Sequence, residues 1–411
     1  MTPGRRLVSL WLTAAATLVL GAVVLEMGLR LFVDVTDVPF YFWDPLIGPR
    51  KAPNQTGRYL EGGFIRGAYH FNAQGWNYPE DFSVTRPPGA SRVCLIGDSQ
   101  VESLQVRPEE TMYSVAERIA RDSGTPVQWY PLGVSGYGTA QEYEVIRRYA
   151  LDYRPDVVVL LFIQNDPFDT SPYIVDLEPY VARYVLDPAG DLSLFFPAPW
   201  EPRGWRRLGA QSALVRYFMV QKRLLAKLEG GSTVPGVGAL PMRESTSEFR
   251  HPIVPGLASM SFAERQEMTW KLVARLLEAA RDECQRRGAV LAVAFRGWGD
   301  EIDAPLHPET APSIPKEQDP YCLGPRAREM GREWVEPITR RLGIPYLDLT
   351  APLREAVKRS GKSHCFPDDG HFSSVGHAAA GEALAAFVQS VLKQPIPSAA
   401  SGRAATGGLS H

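Results

Sequence analysis

An excess of charge of either sign is what this chain most plainly lacks. Its 44 basic residues face 46 acidic ones over 411 positions, and no basic run carries interleaved aromatics, so nothing marks a nucleic-acid surface. Cysteine is scarce, four in all, which fits an exported domain that tolerates a disulfide without being built on disulfides. Cys94 falls in an apolar strand pattern and Cys284 in a helical one, marking both as buried thiols, whereas Cys322 (PYCLGP) and Cys365 (SHCFPDD) lie in loops and form the expected pair. No repeat recurs at solenoid or propeller periods. Long apolar runs are missing too, with one exception.

That exception follows MTPGRR: 19 residues without a charge, Leu7 to Leu25. At about 1.5 Å per residue they approach the ~30 Å hydrocarbon core of a bilayer. Arg5 and Arg6 precede them, and the positive-inside tendency then places the N-terminus in the cytoplasm and the rest outside. A cleaved signal peptide is the rival reading, but the run exceeds the usual h-region of about 7–15 residues and no clean A-x-A site follows.

Four parts are expected along the chain: an anchor over 1–33, an irregular, aromatic-rich lead-in over 34–90, a main domain over 91–393 with an insertion at about 170–260, and a disordered tail over 394–411. In the main domain, strand patterns at 92–96, 127–132, 157–163, 289–295 and 344–349 alternate with helical ones. Thr111 to Asp122 has apolar residues at helical spacing, Thr139-Ala-Gln-Glu142 reads as a capping box opening a helix to about Asp152, and Ser261-Phe-Ala-Glu264 opens a longer helix. A helix at 325–341 and a last one from about Ser374 to Lys393 follow. The run VVVLLFI, Val157 to Ile163, is the kind buried on both faces of a parallel sheet. The alternation predicts a three-layer α/β domain with a mainly parallel sheet. Within the insertion, Ser212 to Leu228 is expected to be one helix, with the loop GGSTVPGVGALP after it.

Ligands of open α/β sheets bind beyond the carboxyl ends of the strands. Those positions hold Gly97-Asp98-Ser99, then LGVSGYG with Gly136, then Gln164-Asn165-Asp166, then RGWGD; FPDDGHFS, with Asp368 and His371, precedes the last helix. Each alone is an ordinary turn. Together they offer a hydroxyl, two sources of oxyanion donors, and a carboxylate three residues before an imidazole. A serine hydroxyl needs a base to take its proton, and a carboxylate on the base's other nitrogen fixes its tautomer.

In these blocks the chain resembles the SGNH (GDSL-type) hydrolase superfamily: GDS at 97–99, Gly136, Asn-Asp at 165–166 and Asp-x-x-His at 368–371, in the family's order. The resemblance covers about 92–170 and 260–393. It implies a flavodoxin-like sheet with Ser99 as nucleophile, His371 as base, Asp368 as its partner, and Ser99, Gly136 and Asn165 as oxyanion donors. Asp369 is close enough to compete with Asp368. The chain departs from the family where Phe162-Ile163-Gln164 precede Asn165 instead of the usual glycine pattern, and where Pro131 stands in place of an asparagine. The membrane-anchored layout, with FNAQGWNYPED before the first block, is similar to envelope members associated with surface polysaccharides.

The function expected is therefore a membrane-anchored serine esterase or O-acyltransferase acting on O-acyl groups, plausibly acetyl, of an envelope or exported glycan. It would need no cofactor and have polysaccharide-assembly proteins as further partners. The alternative is an inactive glycan-binding or assembly protein, with Tyr41, Trp43, Trp76 and Trp298 stacking on sugars. A metal site drawn from His364, Asp368, Asp369, His371 and His377 matches no known ligand pattern.

Overall fold

Val157–Ile163 carries no polar side chain, and in the computed structural model of the chain all of it is buried, as the central strand of a five-stranded sheet. The structure describes residues 3–174, 179–199, 209–224, 254, 256–297, 302–303, 332–366 and 369–394. The first four strands, β1 (Tyr41–Asp44), β2 (Gly48–Lys51), β3 (Gln55–Glu61) and β4 (Ile65–Phe71), precede the sheet as two antiparallel hairpins. The sheet itself holds β5 (Ser91–Gly97), β6 (Val127–Gly133) and β7 (Val157–Ile163). Two later strands, β10 (Val290–Arg296) and β11 (Tyr346–Asp348), follow the small hairpin of β8 (Arg183–Leu186) and β9 (Leu192–Phe195). The sheet order is β11-β10-β7-β5-β6 and every pairing is parallel. Counted within the sheet this is 2-1-3-4-5, the flavodoxin-like order, whose switch point lies between the first and third strands. Ser99 follows the first of these.

Helices cover both faces. Met112–Asp122 packs with Ser374–Leu392, and Thr139–Arg148 with Phe262–Arg286. Right-handed crossovers require this division, because the chain steps one way from β5 to β6 and the other way afterwards. The final helix is apolar along its length because Ala379, Leu384, Ala385 and Val388 all enter the core. Its cap is Ser373, and the long helix opens on the expected box, with Ser261 Oγ accepting from the Glu264 N–H at 3.3 Å and Glu264 accepting from the Ser261 N–H at 2.6 Å.

The second expected box is displaced by one residue. Gly138 is the cap, Gln141 Oε1 accepts its N–H at 2.9 Å, and the helix ends at Arg148 instead of running to Asp152. The reason is steric: a Cβ at position 138 would lie 2.7 Å from Thr170 Oγ1 and 2.8 Å from the Asp169 carbonyl carbon, so only glycine lets the helix start this close to the turn after β7. Glu142 is freed from capping and buried instead.

The lead-in is more ordered than its composition suggests, since every residue of β2 is buried. In the insertion, Ala213–Val215 is α-helical but Arg216–Gln221 widens to a π-helix, so no regular helix runs on from Ser212; residues 225–241, with the glycine-rich loop, lie outside the described residues. So does the tail beyond 394. Helix α1, Pro3–Phe32, contains a 29-residue stretch, Gly4–Phe32, long and apolar enough to cross a membrane.

Candidate active site

Gly97 and Gly133 are register partners at the ends of β5 and β6. A Cβ on Gly133 would sit 2.3 Å from the Glu102 nitrogen, so its absence lets the short helix α2, Ser99–Glu102, cross the strand ends. Asp98 caps that helix: its Oδ1 accepts the Gln100 N–H at 2.9 Å. Ser99 is therefore the first helical residue, where the backbone N–H has no acceptor within the helix, and its side chain is partly exposed.

His371 arrives from the loop before the last helix, with Nε2 at 2.7 Å from Ser99 Oγ. Its Nδ1 meets the buried carboxylate of Asp369. Asp368 lies outside the described residues; among those described it is Asp369 that faces the imidazole. Ser99 Oγ also lies 3.2 Å from Asp98 Oδ2. With neutral His371 the serine proton points to Nε2; with an imidazolium, Nε2–H donates to Oγ and the serine proton turns to Asp98. Burial disfavours the imidazolium, but the charge and hydrogen bond of Asp369, with Asp98 and Cys365 behind, outweigh it and raise the His371 pKa to about 9. Burial also raises the pKa of Asp98.

Two side chains given no role in the sequence reading hold the histidine loop. Gln100 brackets His371 with both ends of its amide, donating from Nε2 to the Gly370 carbonyl at 3.3 Å and accepting the Phe372 N–H on Oε1 at 3.0 Å. Arg296, buried at the end of β10, donates to the same carbonyl at 3.0 Å and to Cys365 Sγ at 2.9 Å. Arg296 is the first residue after the apolar run of the fourth strand, so the strand-end rule that singled out RGWGD already pointed at its position. Gln100 offered no such signal.

Gly136 is itself exposed in the otherwise largely buried loop after β6, at φ +81°, a conformation open to glycine. Its neighbour Ser135 hydrogen bonds Glu102, which pairs with Lys51 Nζ at 3.1 Å; Lys51 in turn donates to Tyr41 Oη at 2.5 Å. Lys51 and Glu102 are both almost wholly buried, so β2 of the lead-in reaches the base of this loop. Asn165 follows β7, and its Nδ2 donates to Asp169 Oδ2 at 2.6 Å. Burial, with the Asp98 charge nearby, raises the Asp169 pKa to about 7. Glu142 and Asp166 lie deeper; burial first, then the charge of Asp98 on Glu142 and those of Glu142 and Asp98 on Asp166, raises both.

The remaining candidates fall elsewhere. Trp76 is 1% exposed beneath Arg50, whose guanidinium carbon lies 4.0 Å from its ring centroid, so the expectation that it stacks on sugar is corrected: the ring is core. Tyr41 is engaged by Lys51, and Trp298 lies outside the described residues. His364 pairs with Asp303 at 2.8 Å, while His377 accepts the Met112 N–H at 3.2 Å and is held by burial at a pKa of about 3. Among the described residues no three His, Cys, Asp or Glu side chains converge as metal ligands. Cys94 and Cys284 are buried thiols as expected; Cys365 is a free thiol, and Cys322 lies outside the described residues.

The class this defines is an α/β protein of flavodoxin-like strand order with a serine, a histidine and an aspartate in line at the carboxyl edge of its sheet. No family model and no curated protein matches the chain. Solved structures are similar to it at long range. An esterase, EstA, from Pseudoalteromonas sp. is 11% identical over 74% of this chain and 100% of its own, with a TM-score of 0.36. The acetyl xylan esterase AlAXEase is 12% identical over 73% and 99%, also at 0.36. A putative lipolytic protein of the G-D-S-L family from Desulfitobacterium hafniense is 9% identical over 72% and 99%, at 0.37. Such distant likeness carries neither activity nor substrate across.

Proposed function

We propose that the chain is a serine carboxylic-ester hydrolase or acyltransferase of SGNH type, anchored by α1 with its site on the far side of a bacterial inner membrane. The observation that carries the reading is the 2.7 Å approach of His371 Nε2 to Ser99 Oγ with Asp369 on the other ring nitrogen. Ser99 Oγ attacks the ester carbonyl while its proton passes to Nε2. The oxyanion takes hydrogen bonds from the Ser99 N–H, with Gly136 and Asn165 as the further donors. Collapse expels the alcohol, which takes the proton back from Nε2. The acyl-enzyme is then cleared by water, in hydrolysis, or by a sugar hydroxyl, in transfer, with His371 again as base. In this reading Asp369 takes the partner role first assigned to Asp368. The glycan O-acyl substrate, with acetyl as the acyl group, rests on the resemblance of the anchored layout and of FNAQGWNYPED to envelope polysaccharide enzymes.

The test is turnover of acetylated small esters and acetylated glycans by the purified full chain, with and without a sugar acceptor. Acetate release alone marks hydrolysis and an acylated acceptor marks transfer. No turnover of any ester by folded protein would reject both and leave the glycan-binding alternative.

A further inference from the structure

Glu26 and Arg30 are the first charged residues after the uncharged run Leu7–Leu25, and both are engaged by a segment far along the chain. The Glu26 carboxylate accepts from Ser212 Oγ at 2.9 Å and from the Ala213 and Leu214 N–H groups at 2.8 Å each, and Arg30 donates to the Gln211 carbonyl at 2.6 Å. Helix α1 thus supplies the capping carboxylate for the start of another helix. Leu29 and Val35 pack with Ala213, Leu214 and Tyr217. Gln221, at the other end of the segment, accepts the Thr36 N–H and donates to the Asp34 carbonyl, both at 3.0 Å. Residues 211–221 are therefore fixed at one end to the last turns of α1 and at the other to the chain just beyond it.

The register of α1 says at what depth. Nineteen residues at about 1.5 Å each span about 28 Å, nearly the whole hydrocarbon core, which puts Glu26 and the groups it caps at the headgroup boundary. A carboxylate there is costly unless its donors come with it, and three donors from 212–214 together with Arg30 supply them. The same end of the molecule exposes large apolar side chains: Leu31 (66%), Phe32 (85%), Phe40 (48%) and Phe218 (36%). Phe40 borders a recess of about 410 Å³ with Arg30, Asp37, Gln211 and Arg216, which joins α1, the lead-in and the 211–221 segment. Aromatic side chains beside basic ones are the composition of a membrane–water interface.

We propose that Gln211–Gln221 is a second membrane contact, seated in the headgroup layer of the bilayer that α1 spans, with Phe32, Phe40 and Phe218 inserted. The domain is then held at one height and tilt instead of swinging on a tether. The proposal rests on α1 being a span and is independent of the catalytic reading.

The test uses the full chain in vesicles of phosphatidylethanolamine and phosphatidylglycerol, with a nitroxide on Phe218→Cys in a Cys322→Ser/Cys365→Ser background. Labels on Val19→Cys and Val84→Cys serve as lipid and aqueous references. The collision rate of the 218 label with oxygen is expected to exceed that with a water-soluble nickel chelate, as at position 19 and opposite to position 84. Should the label at 218 disturb folding, Phe40→Cys gives the same reading. A 218 or 40 label that behaves like the one at 84 while the one at 19 reports lipid overturns this proposal alone. An aqueous reading at 19 overturns the span and the proposal together.

Discussion

With a pKa of about 9, His371 is mostly imidazolium at neutral pH and cannot accept the Ser99 proton. Only about 1% of the molecules carry the neutral base at pH 7, so kcat/KM should rise roughly a hundredfold between pH 7 and the alkaline plateau. Asp369 is the main reason, so Asp369→Asn should move the limb down from about 9 towards the ordinary histidine value of 6.5. Its plateau should also fall, by up to about 10⁴, because the imidazole loses its orienting carboxylate. The assay is kcat/KM on an activated acetyl ester from pH 5 to 10 for the wild type, Asp369→Asn and Asp368→Asn. A limb near 6.5 in all three would refute the argument, and a displaced limb only in Asp368→Asn would return the partner role to that residue. Stability has a definite sign as well. A raised histidine pKa contributes stability that is fully present below about 6.5 and lost as pH rises through about 9. The gap corresponds to on the order of 3 kcal/mol, so the stability difference between wild type and Asp369→Asn should be greatest in mild acid and fade above pH 9.

Asn165→Ala should lower turnover about 10²–10³-fold while leaving Ser99 reactive, since one oxyanion donor is lost and the nucleophile stays; unchanged turnover would remove Asn165 from that role. Lys51→Met should cost about 3–5 kcal/mol by stranding the buried Glu102 charge, and Lys51→Met/Glu102→Gln should recover most of it in denaturant titrations; equal losses in both would show that the pair does not hold β2 to α2. A reporter fused after His411 should work only if it is active outside the cytoplasm, because Arg5 and Arg6 precede the apolar run; a cytoplasmically active fusion would reverse the topology.

Much of the sheet was legible in sequence because its strands are buried on both faces. Val157–Ile163 reads as strand from composition alone, and the observed bounds of β5, β6 and β10 differ from the expected ones by about a residue. The sites beyond those strands were legible for the same reason, since strand ends fix where side chains can converge. Contacts between distant segments were not legible. Nothing in local pattern says that Lys51 reaches Glu102, that Gln100 brackets His371, or that Glu26 caps a helix begun at Ser212, because each depends on packing and none on periodicity. The shifted cap at Gly138 shows the same limit: Thr139 and Glu142 satisfy the local rule, and a backbone approach from Asp169 and Thr170 overrides it. The choice between Asp368 and Asp369 is likewise a matter of loop geometry that spacing leaves open.

The most direct measurement is where a fluorophosphonate goes. Folded full-length protein treated with the probe, digested and mapped by mass spectrometry should carry one adduct, on Ser99. Labelling should be absent in Ser99→Ala and much slower in His371→Ala, with the circular dichroism of both unchanged. Folded wild-type protein that takes no label, or takes it at a serine other than Ser99, would contradict the assignment of Ser99 as the nucleophile.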